Sequence, residues 1–399
     1  SAILKGKLYT NMVQRLLLSG VLVMGTFILS GCTIPLPASL SPATTTSGAP
    51  AKGSLWRTSD GGQTFEVKST IDETTTIIKA DILSIAYHPI DNGIFKTEDA
   101  GEQWTPISFP PKKIYSFILD RNDPDNRMFA SGVVGEWGKI FRTDDGGTEW
   151  KEVYTEPGVQ ANVTALSQHP TDINVIFAGT STGTVVKSTD AGETWKNVGN
   201  KIEGTVSDIL FDASEKFTTY LLTFGQKLYY SRDGGVVWLD WEEEKQKEIA
   251  DLQKRGGEAS TRGNAKESER LQKESMKLSE RNQANKMPTG IISIASDPTR
   301  SGVIYAGTSN GFFKSTDFGK YWTEINIIES AKKFPIRSIA VNPKNSEEIV
   351  FVSGKAFYKS IDSGQTWFVT GLTVDRGASF VSYDPFDSEY LFVGLRNFK

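Results

Sequence analysis

The nine residues Lys187-Ser-Thr-Asp-Ala-Gly-Glu-Thr-Trp195 decide the fold, because their pattern recurs seven times in the chain. The shared frame is a hydroxyl residue, any residue, Asp, any residue, Gly, two further residues and an aromatic. The aspartates are Asp60, Asp99, Asp145, Asp190, Asp233, Asp317 and Asp362. The aromatics are Phe65, Trp104, Trp150, Trp195, Trp238, Trp322 and Trp367. An internal repeat with four fixed positions takes precedence over any single motif.

The chemistry of this frame is that of a hairpin turn. An Asp carboxylate accepts backbone N–H groups within a turn, and a Ser or Thr hydroxyl adds a further hydrogen bond. Gly supplies the positive φ that such a turn requires. The aromatic residue then opens the next strand with a large apolar area to bury. We therefore interpret the box aspartates as structural and not as catalytic residues.

The frame resembles the Asp-box, or BNR repeat, of sialidases, sortilins, xyloglucan-specific glycoside hydrolases and the photosystem II assembly-factor propellers. In those families the box lies between the third and fourth strands of a β-propeller blade. The resemblance therefore implies an all-β chain in which each box marks one four-stranded blade.

The spacing of the boxes agrees with that unit. Successive box aspartates are 39, 46, 45, 43, 84 and 45 residues apart, and about 45 residues suit one blade. The segment from Ser54 begins at a third strand, and the chain finishes with a first and a second strand. We predict that these pieces share one blade and close the ring, which makes residues 54–399 a single seven-bladed propeller without a free sheet edge.

The unit of the second box departs from the pattern. The stretch Leu83 to Phe95 lacks the usual second strand and shortens the first step to 39 residues. We expect this blade to be three-stranded or irregular.

The first 53 residues do not follow the repeat. Residues 1–32 combine an N-terminal extension with a secretion signal, in which Arg15 precedes the apolar run Leu16 to Leu29. That run is shorter than the roughly 20 residues of a membrane span. Leu29-Ser-Gly-Cys32 is similar to the lipobox of bacterial lipoproteins, which makes Cys32 the expected lipidation site. The alternative is an uncleaved helical anchor with an incidental cysteine. Residues 33–53, rich in Pro, Ser and Thr, are expected to form a tether.

The long step between the boxes of Asp233 and Asp317 contains an insert at residues 241–287. It is dense in Glu, Lys, Arg and Gln, and two stretches favour helix, Glu243 to Arg255 and Lys266 to Arg281. We predict a helical hairpin broken at Gly256-Gly257. A solvated or partly disordered arm is the alternative. Because the insert joins one blade to the next, we expect it on the face opposite the box turns.

Few residues outside the repeat point to chemistry. Glu136 and Trp137, between glycines, are candidates for contact with a sugar or a protein partner, and Trp241 at the base of the insert is a third. His88 and His169 both precede proline at what we take to be one point of the repeat, which favours turn formers over a catalytic pair. Phe334-Pro-Ile-Arg337 is only superficially similar to the sialidase Phe-Arg-Ile-Pro stretch, and no sialidase arginine triad is evident.

Composition narrows the classes of function. The formal net charge of −4 implies no general affinity for nucleic acid. The chain has one Cys and two His, which makes an intrachain disulfide impossible and a zinc site unexpected. We predict no catalytic residue, cofactor or metal.

The leading hypothesis is a non-enzymatic propeller, lipid-anchored at Cys32 on the outer side of a bacterial membrane, that binds protein partners during assembly or stabilisation of an envelope complex. The alternative is a carbohydrate-active protein, either a glycoside hydrolase or a glycan binder. A surface-exposed binding module without a fixed partner is a third possibility. The sequence identifies neither the partner nor the membrane leaflet.

Overall fold

The computed structural model describes residues 54–69, 74–79, 85–89, 94–97, 99, 102–111, 113–224, 227–309, 311–328, 331–384 and 387–398. The side chains of the strands at 74–79 and 85–89 are not described. The predictions for residues 1–32, for Cys32 and for the tether at 33–53 lie outside these ranges.

Seven four-stranded antiparallel sheets form the propeller, which confirms the predicted fold class. The first sheet takes strands from both ends of the described chain, and we call it blade 1. Its strands are β1 (Leu55–Thr58), β2 (Glu66–Ser69), β27 (Gly377–Tyr383) and β28 (Leu391–Arg396).

The other blades each use four consecutive strands, which run in order from the innermost strand to the outermost. Blade 2 has β3 (Thr74–Lys79), β4 (Ile85–Pro89), β5 (Ile94–Thr97) and β6 (Thr105–Ile107). Blade 3 has β7 (Ile114–Leu119), β8 (Met128–Val134), β9 (Trp137–Thr143) and β10 (Lys151–Thr155). Blade 4 has β11 (Val163–Gln168), β12 (Ile176–Thr180), β13 (Val185–Ser188) and β14 (Lys196–Asn197).

The remaining three blades follow the same order. Blade 5 has β15 (Val206–Phe211), β16 (Thr219–Thr223), β17 (Leu228–Ser231) and β18 (Leu239–Asp240). Blade 6 has β19 (Ile291–Ser296), β20 (Ile304–Thr308), β21 (Phe312–Ser315) and β22 (Thr323–Ile325). A 3₁₀ turn at Ala331–Lys333 leads to blade 7, with β23 (Ile336–Val341), β24 (Ile349–Ser353), β25 (Ala356–Ser360) and β26 (Phe368–Gly371).

Strand β1 pairs with β28 through Leu55 and Gly394, Trp56 and Val393, and the two pairs that follow. The inner strand of blade 1 contacts the inner strands of blades 7 and 2. Blade 1 therefore joins the two ends of the ring, as the sequence predicts. The hydrophobic core lies between neighbouring blades, where Ala165 and Phe177 of blade 4, for example, pack with Val206 and Leu221 of blade 5.

Blade 2 corrects one prediction, because it has four strands. Its inner strand is Thr74–Lys79, and Ile85–Pro89 is the second strand. The latter stretch resembles the inner strands of other units in sequence, which is why its pattern alone predicts an inner strand. Its His88 therefore lies within a second strand, whereas His169 directly follows an inner strand. The two histidines are not equivalent, contrary to the prediction.

The insert forms the predicted helical hairpin, which we call the arm. Helix α1 spans Trp241–Thr261 and helix α2 spans Ala265–Ala284. The break lies at residues 262–264 and not at Gly256-Gly257, which are inside α1. Gly256 is buried, and a Cβ there would lie 3.5 Å from the Cβ of Leu271. That distance is an ordinary van der Waals contact, so the packing of α1 on α2, and not a steric need for glycine, outweighs the low helix propensity of the two glycines.

Candidate functional site

The box turns have the predicted hydrogen bonds. In the fourth box, the Ser188 hydroxyl donates to Asp190 Oδ1 (2.8 Å) and accepts from Gly192 N–H (2.8 Å). Asp190 Oδ1 also accepts from Thr194 N–H (2.9 Å). The hydrogen bonds from Thr194 are the main reason that the pKa of Asp190 is lowered to about 2. The Ser188 hydroxyl and the Asp190 carboxylate are thus engaged within the turn.

The box glycines have a second structural role. Gly192 has φ +82°, and a Cβ at this position would lie 2.4 Å from Cε1 of Phe129 in the preceding blade. A Cβ at Gly62 would likewise clash with the ring of Phe357, and a Cβ at Gly235 with the ring of Phe177. The glycine thus serves both the turn and the contact between blades.

His169 is a turn former. Its Nδ1 accepts from the backbone N–H of Thr171 (3.2 Å) and of Asp172 (2.9 Å), and its Nε2 lies 2.8 Å from the carbonyl oxygen of Lys216. Asp297 accepts in the same way from the two N–H groups that follow its own turn. Both ring nitrogens of His169 are engaged, which leaves no lone pair for chemistry.

We call the end of the propeller with the boxes the box end, and the opposite end the far end. Because strands alternate in direction, the far end carries the turns between second and third strands and the connections between blades. Glu136 and Trp137 lie there, in the tight turn between β8 and β9. Both are exposed, and the Glu136 carbonyl accepts from Gln160 N–H (2.9 Å). Their side chains point to solvent and are available to a partner.

Three arginines of blades 7 and 1 meet at the far end, and we call Arg337, Arg376 and Arg396 the arginine cluster. Arg337 is the second residue of β23 and Arg376 directly precedes β27. Arg396 ends β28 and pairs with Gly377, the neighbour of Arg376. Burial, followed by the nearby positive charge of Arg396, lowers the pKa of Arg337. An anion bound here would relieve that repulsion.

Two exposed phenylalanines flank the cluster. Phe398 packs on Gly377, and the Arg337 guanidinium carbon lies 3.5 Å from the centre of its ring. Phe334 packs on Gly354, whose carbonyl accepts from Ala378 N–H (2.8 Å). Arg376 Nη1 is buried and has no hydrogen-bond partner among the described residues. A buried unpaired guanidinium N–H is costly, so a carboxylate ligand would fit this site.

Trp241 attaches the arm to the body. Its indole is half-buried, stacks on Tyr230, and donates from Nε1 to the Phe318 carbonyl (2.7 Å). Lys245, one turn further along α1, is fully buried with its ammonium 2.6 Å from Glu242. Trp241 therefore has a structural role, and its use by a partner stays a prediction.

The face of the arm differs from the prediction. Lys320 pairs with Glu248 (3.3 Å), and the Tyr321 hydroxyl lies 3.1 Å from Asn282 Oδ1. Both Lys320 and Tyr321 belong to the box turn of blade 6. The base of the arm therefore lies beside the box end, because the insert leaves blade 5 after only two residues of its outer strand. The arm does not share a face with Glu136 and Trp137.

Two kinds of feature are absent from the described ranges, namely a cluster of metal ligands and an apolar helix of membrane-spanning length. No three His, Cys, Asp or Glu side chains there lie close enough together to hold a metal ion. Neither helix of the described chain is long and apolar enough to cross a membrane.

A comparison with models of known protein families identifies the family of this chain. The model of the family described as photosynthesis system II assembly factor YCF48 matches residues 88–332, more than half of the chain. The chain belongs to the YCF48 family. The match includes five of the seven boxes and the whole arm.

Solved structures share the YCF48-type fold at low sequence identity. A structure of YCF48 bound to a D1 peptide is 12% identical, with a TM-score of 0.56, and the match covers 82% of this chain and 94% of that one. YCF48 from Cyanidioschyzon merolae is 14% identical, with a TM-score of 0.54 and coverage of 81% and 95%. No curated protein sequence matches the chain.

A glycoside hydrolase is also similar in fold. The GH74 enzyme of Niastella koreensis is 16% identical, with a TM-score of 0.58, and the match covers 87% of this chain. The chain spans 52% of the length of that enzyme. These likenesses establish the propeller fold and leave the activity open.

The arginine cluster was not predicted from the sequence. Its members are widely separated along the chain, and none lies in a box. The signal that could have found them is the predicted closure of blade 1, which places the start of β27 and the end of β28 side by side.

Proposed function

We propose that this YCF48-family chain is a non-enzymatic, membrane-anchored assembly scaffold that binds a peptide segment of a protein partner at the far end of its propeller. The observation that carries the proposal is the arginine cluster, with the buried, unpaired Nη1 of Arg376 among the described residues. A family member of the same fold has been solved with a D1 peptide, which supports a peptide as the ligand class.

The chemistry of the cluster favours a peptide with a carboxylate beside an apolar side chain. Guanidinium groups bind carboxylates through two parallel hydrogen bonds. Phe334 is 52% exposed and Phe398 is 42% exposed, so each offers an apolar surface next to that charge. An acidic side chain or a free C-terminal carboxylate would meet both requirements.

Membrane anchoring is the second part of the proposal. It is supported by the apolar run from Leu16 to Leu29 and by the lipobox-like residues that end at Cys32. Metabolic labelling with a radioactive fatty acid in a bacterial host would test it. We expect label in the intact chain and none in Cys32→Ser.

A cross-linking pull-down from native membranes tests the peptide site. The intact chain is compared with Arg337→Glu and with a matched control, Arg232→Glu. Arg232 also lies over a phenylalanine ring, 4.7 Å from the centre of Phe318, but at the box end. We expect a partner that is retained by the intact chain and the control and lost from Arg337→Glu. Equal retention by all three would place the binding site elsewhere.

The same experiment assigns the role of the arm. The two ends of the arm lie close together, because Met287 N–H donates to a Glu242 carboxylate oxygen (3.3 Å), so a short glycine linker can replace residues 242–286. A partner lost only with the arm would identify the arm as the docking element.

A carbohydrate-active protein is the second candidate, supported by the fold of the GH74 neighbour. A glycan array and a xyloglucan hydrolysis assay separate it from the scaffold. Specific sugar binding at millimolar concentration, abolished by Trp137→Ala, would favour this candidate.

A further inference from the structure

The two ends of the propeller differ in charge. The seven boxes place one aspartate per blade at the box end. Hydrogen bonding within the turns lowers the pKa of Asp190 and of Asp362 to about 2, so these carboxylates are ionised at every physiological pH. The repeat also places Arg or Lys three residues before six of these aspartates, and it is the further acidic side chains of the described turns, such as Asp144, Glu193 and Glu389, that keep the box end negative.

The described part of the far end carries more positive than negative side chains. Its described loops and strand ends carry basic side chains at many points, namely Lys113, Lys201, Lys227, Lys332, Lys333, Arg337, Lys355, Arg376 and Arg396. Among the same described loops and strand ends the acidic side chains are fewer, namely Glu136, Glu156, Glu203 and Asp375. Glu203 is already paired with Lys227. The far end therefore attracts anions, although the whole chain has a formal net charge of −4.

Exposed apolar side chains surround the far end. They are Val134 and Trp137 of blade 3, Val159 before blade 4, Phe224 of blade 5, Ile328 and Phe334 before blade 7, and Phe398 after blade 1. Phe224 is 71% exposed. These positions lie around the ring and not in one groove. A single peptide segment cannot contact all of them, whereas a flat and extended partner can.

The chain enters the propeller at this same end. Ser54, the first described residue of the body, accepts from Leu395 N–H through its carbonyl (2.8 Å) beside the end of β28. Residues 1–53, with the proposed anchor, therefore join the body at the far end. Aromatic side chains with lysine and arginine are the residues that proteins place at the interface of an anionic bilayer.

We propose that the far end of the propeller lies against the surface of an anionic membrane, with Trp137, Phe224 and Phe334 in the headgroup region. This inference rests on the proposed membrane anchoring. It also deepens the proposed function, because the arginine cluster would then face a partner's segment where that segment leaves the bilayer.

Two phenylalanines of blade 5 provide a matched test. Phe224 lies at the far end, and Phe217, which is 60% exposed, lies at the box end in the turn between β15 and β16. In the full chain with Cys32→Ser, each is replaced in turn by cysteine and labelled with the environment-sensitive dye NBD. The probe membranes are vesicles of phosphatidylglycerol and phosphatidylcholine. We expect a blue shift of the emission at position 224, none at 217, and loss of the shift in pure phosphatidylcholine. Thermal melts of both labelled proteins check that they are folded.

The outcomes separate the two proposals. Vesicle-bound protein with no shift at 224, or with equal shifts at both positions, would overturn the orientation and leave the anchor intact. Failure of this Cys32→Ser chain to bind vesicles would overturn the contact of the far end with an anionic surface, whereas the lipid anchor is tested separately by the fatty-acid labelling. A shift at 224 that appears only when membrane proteins are present would assign the far end to a protein partner and reject the lipid surface. Lys201→Glu with Lys333→Glu provides a second measurement, and we expect these substitutions to reduce the shift at 224.

Discussion

Trp241 stacks on Tyr230 with the two ring centres 3.8 Å apart and the planes within 8° of parallel. Tyr230 belongs to β17, and Trp241 is the first residue of α1, so this contact joins the arm to blade 5. Tyr321 of blade 6 completes the attachment from the other side, with the Arg281 guanidinium 4.0 Å from its ring centre. The arm is held at its base by aromatic contacts to two blades.

Trp241→Ala should therefore destabilise the protein by about 2 kcal/mol, since it removes a stacked ring and a partly buried hydrogen bond. Urea denaturation gives the change in the free energy of unfolding, and hydrogen exchange should report faster exchange in the first turns of α1. The control is Trp137→Ala, which removes an exposed indole and should change stability by less than about 0.5 kcal/mol. If both variants lost the same free energy of unfolding, the stacking of Trp241 on Tyr230 would contribute nothing to stability.

Asp190→Asn should lower stability at neutral pH by about 1 kcal/mol, because an amide is a weaker acceptor for the turn N–H groups than a carboxylate. The folded pKa of Asp190, about 2, lies below its ordinary value of 3.8. Its contribution is thus complete above about pH 4 and is lost as the pH falls towards 2. Urea midpoints from pH 2 to 7 should converge for the two proteins at low pH. Glu149→Gln changes an exposed carboxylate within the box of Asp145; it is the control and should follow the wild-type curve.

Asp208→Asn should have the opposite effect. Asp208 lies on the inner strand β15, and burial raises its pKa to about 6. Folding therefore favours the protonated form, and the cost of ionisation appears as the pH rises from about 4 through 6. The variant should be more stable than the wild type by about 2 kcal/mol at pH 8 and nearly equal at pH 4. A difference independent of pH would point to altered packing.

Gly257→Ala should stabilise the arm by about 0.5–1 kcal/mol, because the position is inside α1 and a Cβ there meets no atom within 4 Å. Gly263→Ala is the matched control. A Cβ would be equally unobstructed there, but Gly263 has φ +73° in the turn between the helices, where alanine is strained. Helical circular dichroism is followed on heating. We expect its midpoint temperature to rise in Gly257→Ala and to fall in Gly263→Ala. The same sign for both would contradict this assignment.

The repeat made most of the fold predictable, because each box specifies its own turn through short-range hydrogen bonds. Seven sheets and the joining of β1 to β28 follow from the number of boxes and from the strands at the two ends of the segment 54–399. The sequence pattern assigns the inner strand of blade 2 wrongly, because Thr74–Lys79 is not directly followed by the Asp, Asn or His that follows the other inner strands. Local pattern could not correct this, since the pairing with β4 is a tertiary choice.

The site was less predictable than the fold. Glu136 and Trp137 stood out as departures from the repeat, and the structure places both in an exposed turn. The arginine cluster depends on blades that are distant in sequence and adjacent in space. The position of the arm depends on where β18 ends, and its two-residue length is not encoded by any turn signal. Hydrophobic and turn patterns describe single units, whereas these features arise between units.

The place of β1 within blade 1 has a mechanical consequence. A force applied through residues 1–53 acts on β1, which is hydrogen-bonded to β28 on one side and to β2 on the other. An edge strand can be peeled away one hydrogen bond at a time, but a strand held on both sides must slide past two neighbours at once. A pull on that segment therefore loads both ladders in shear, and the closure that completes the ring also provides its mechanical clamp.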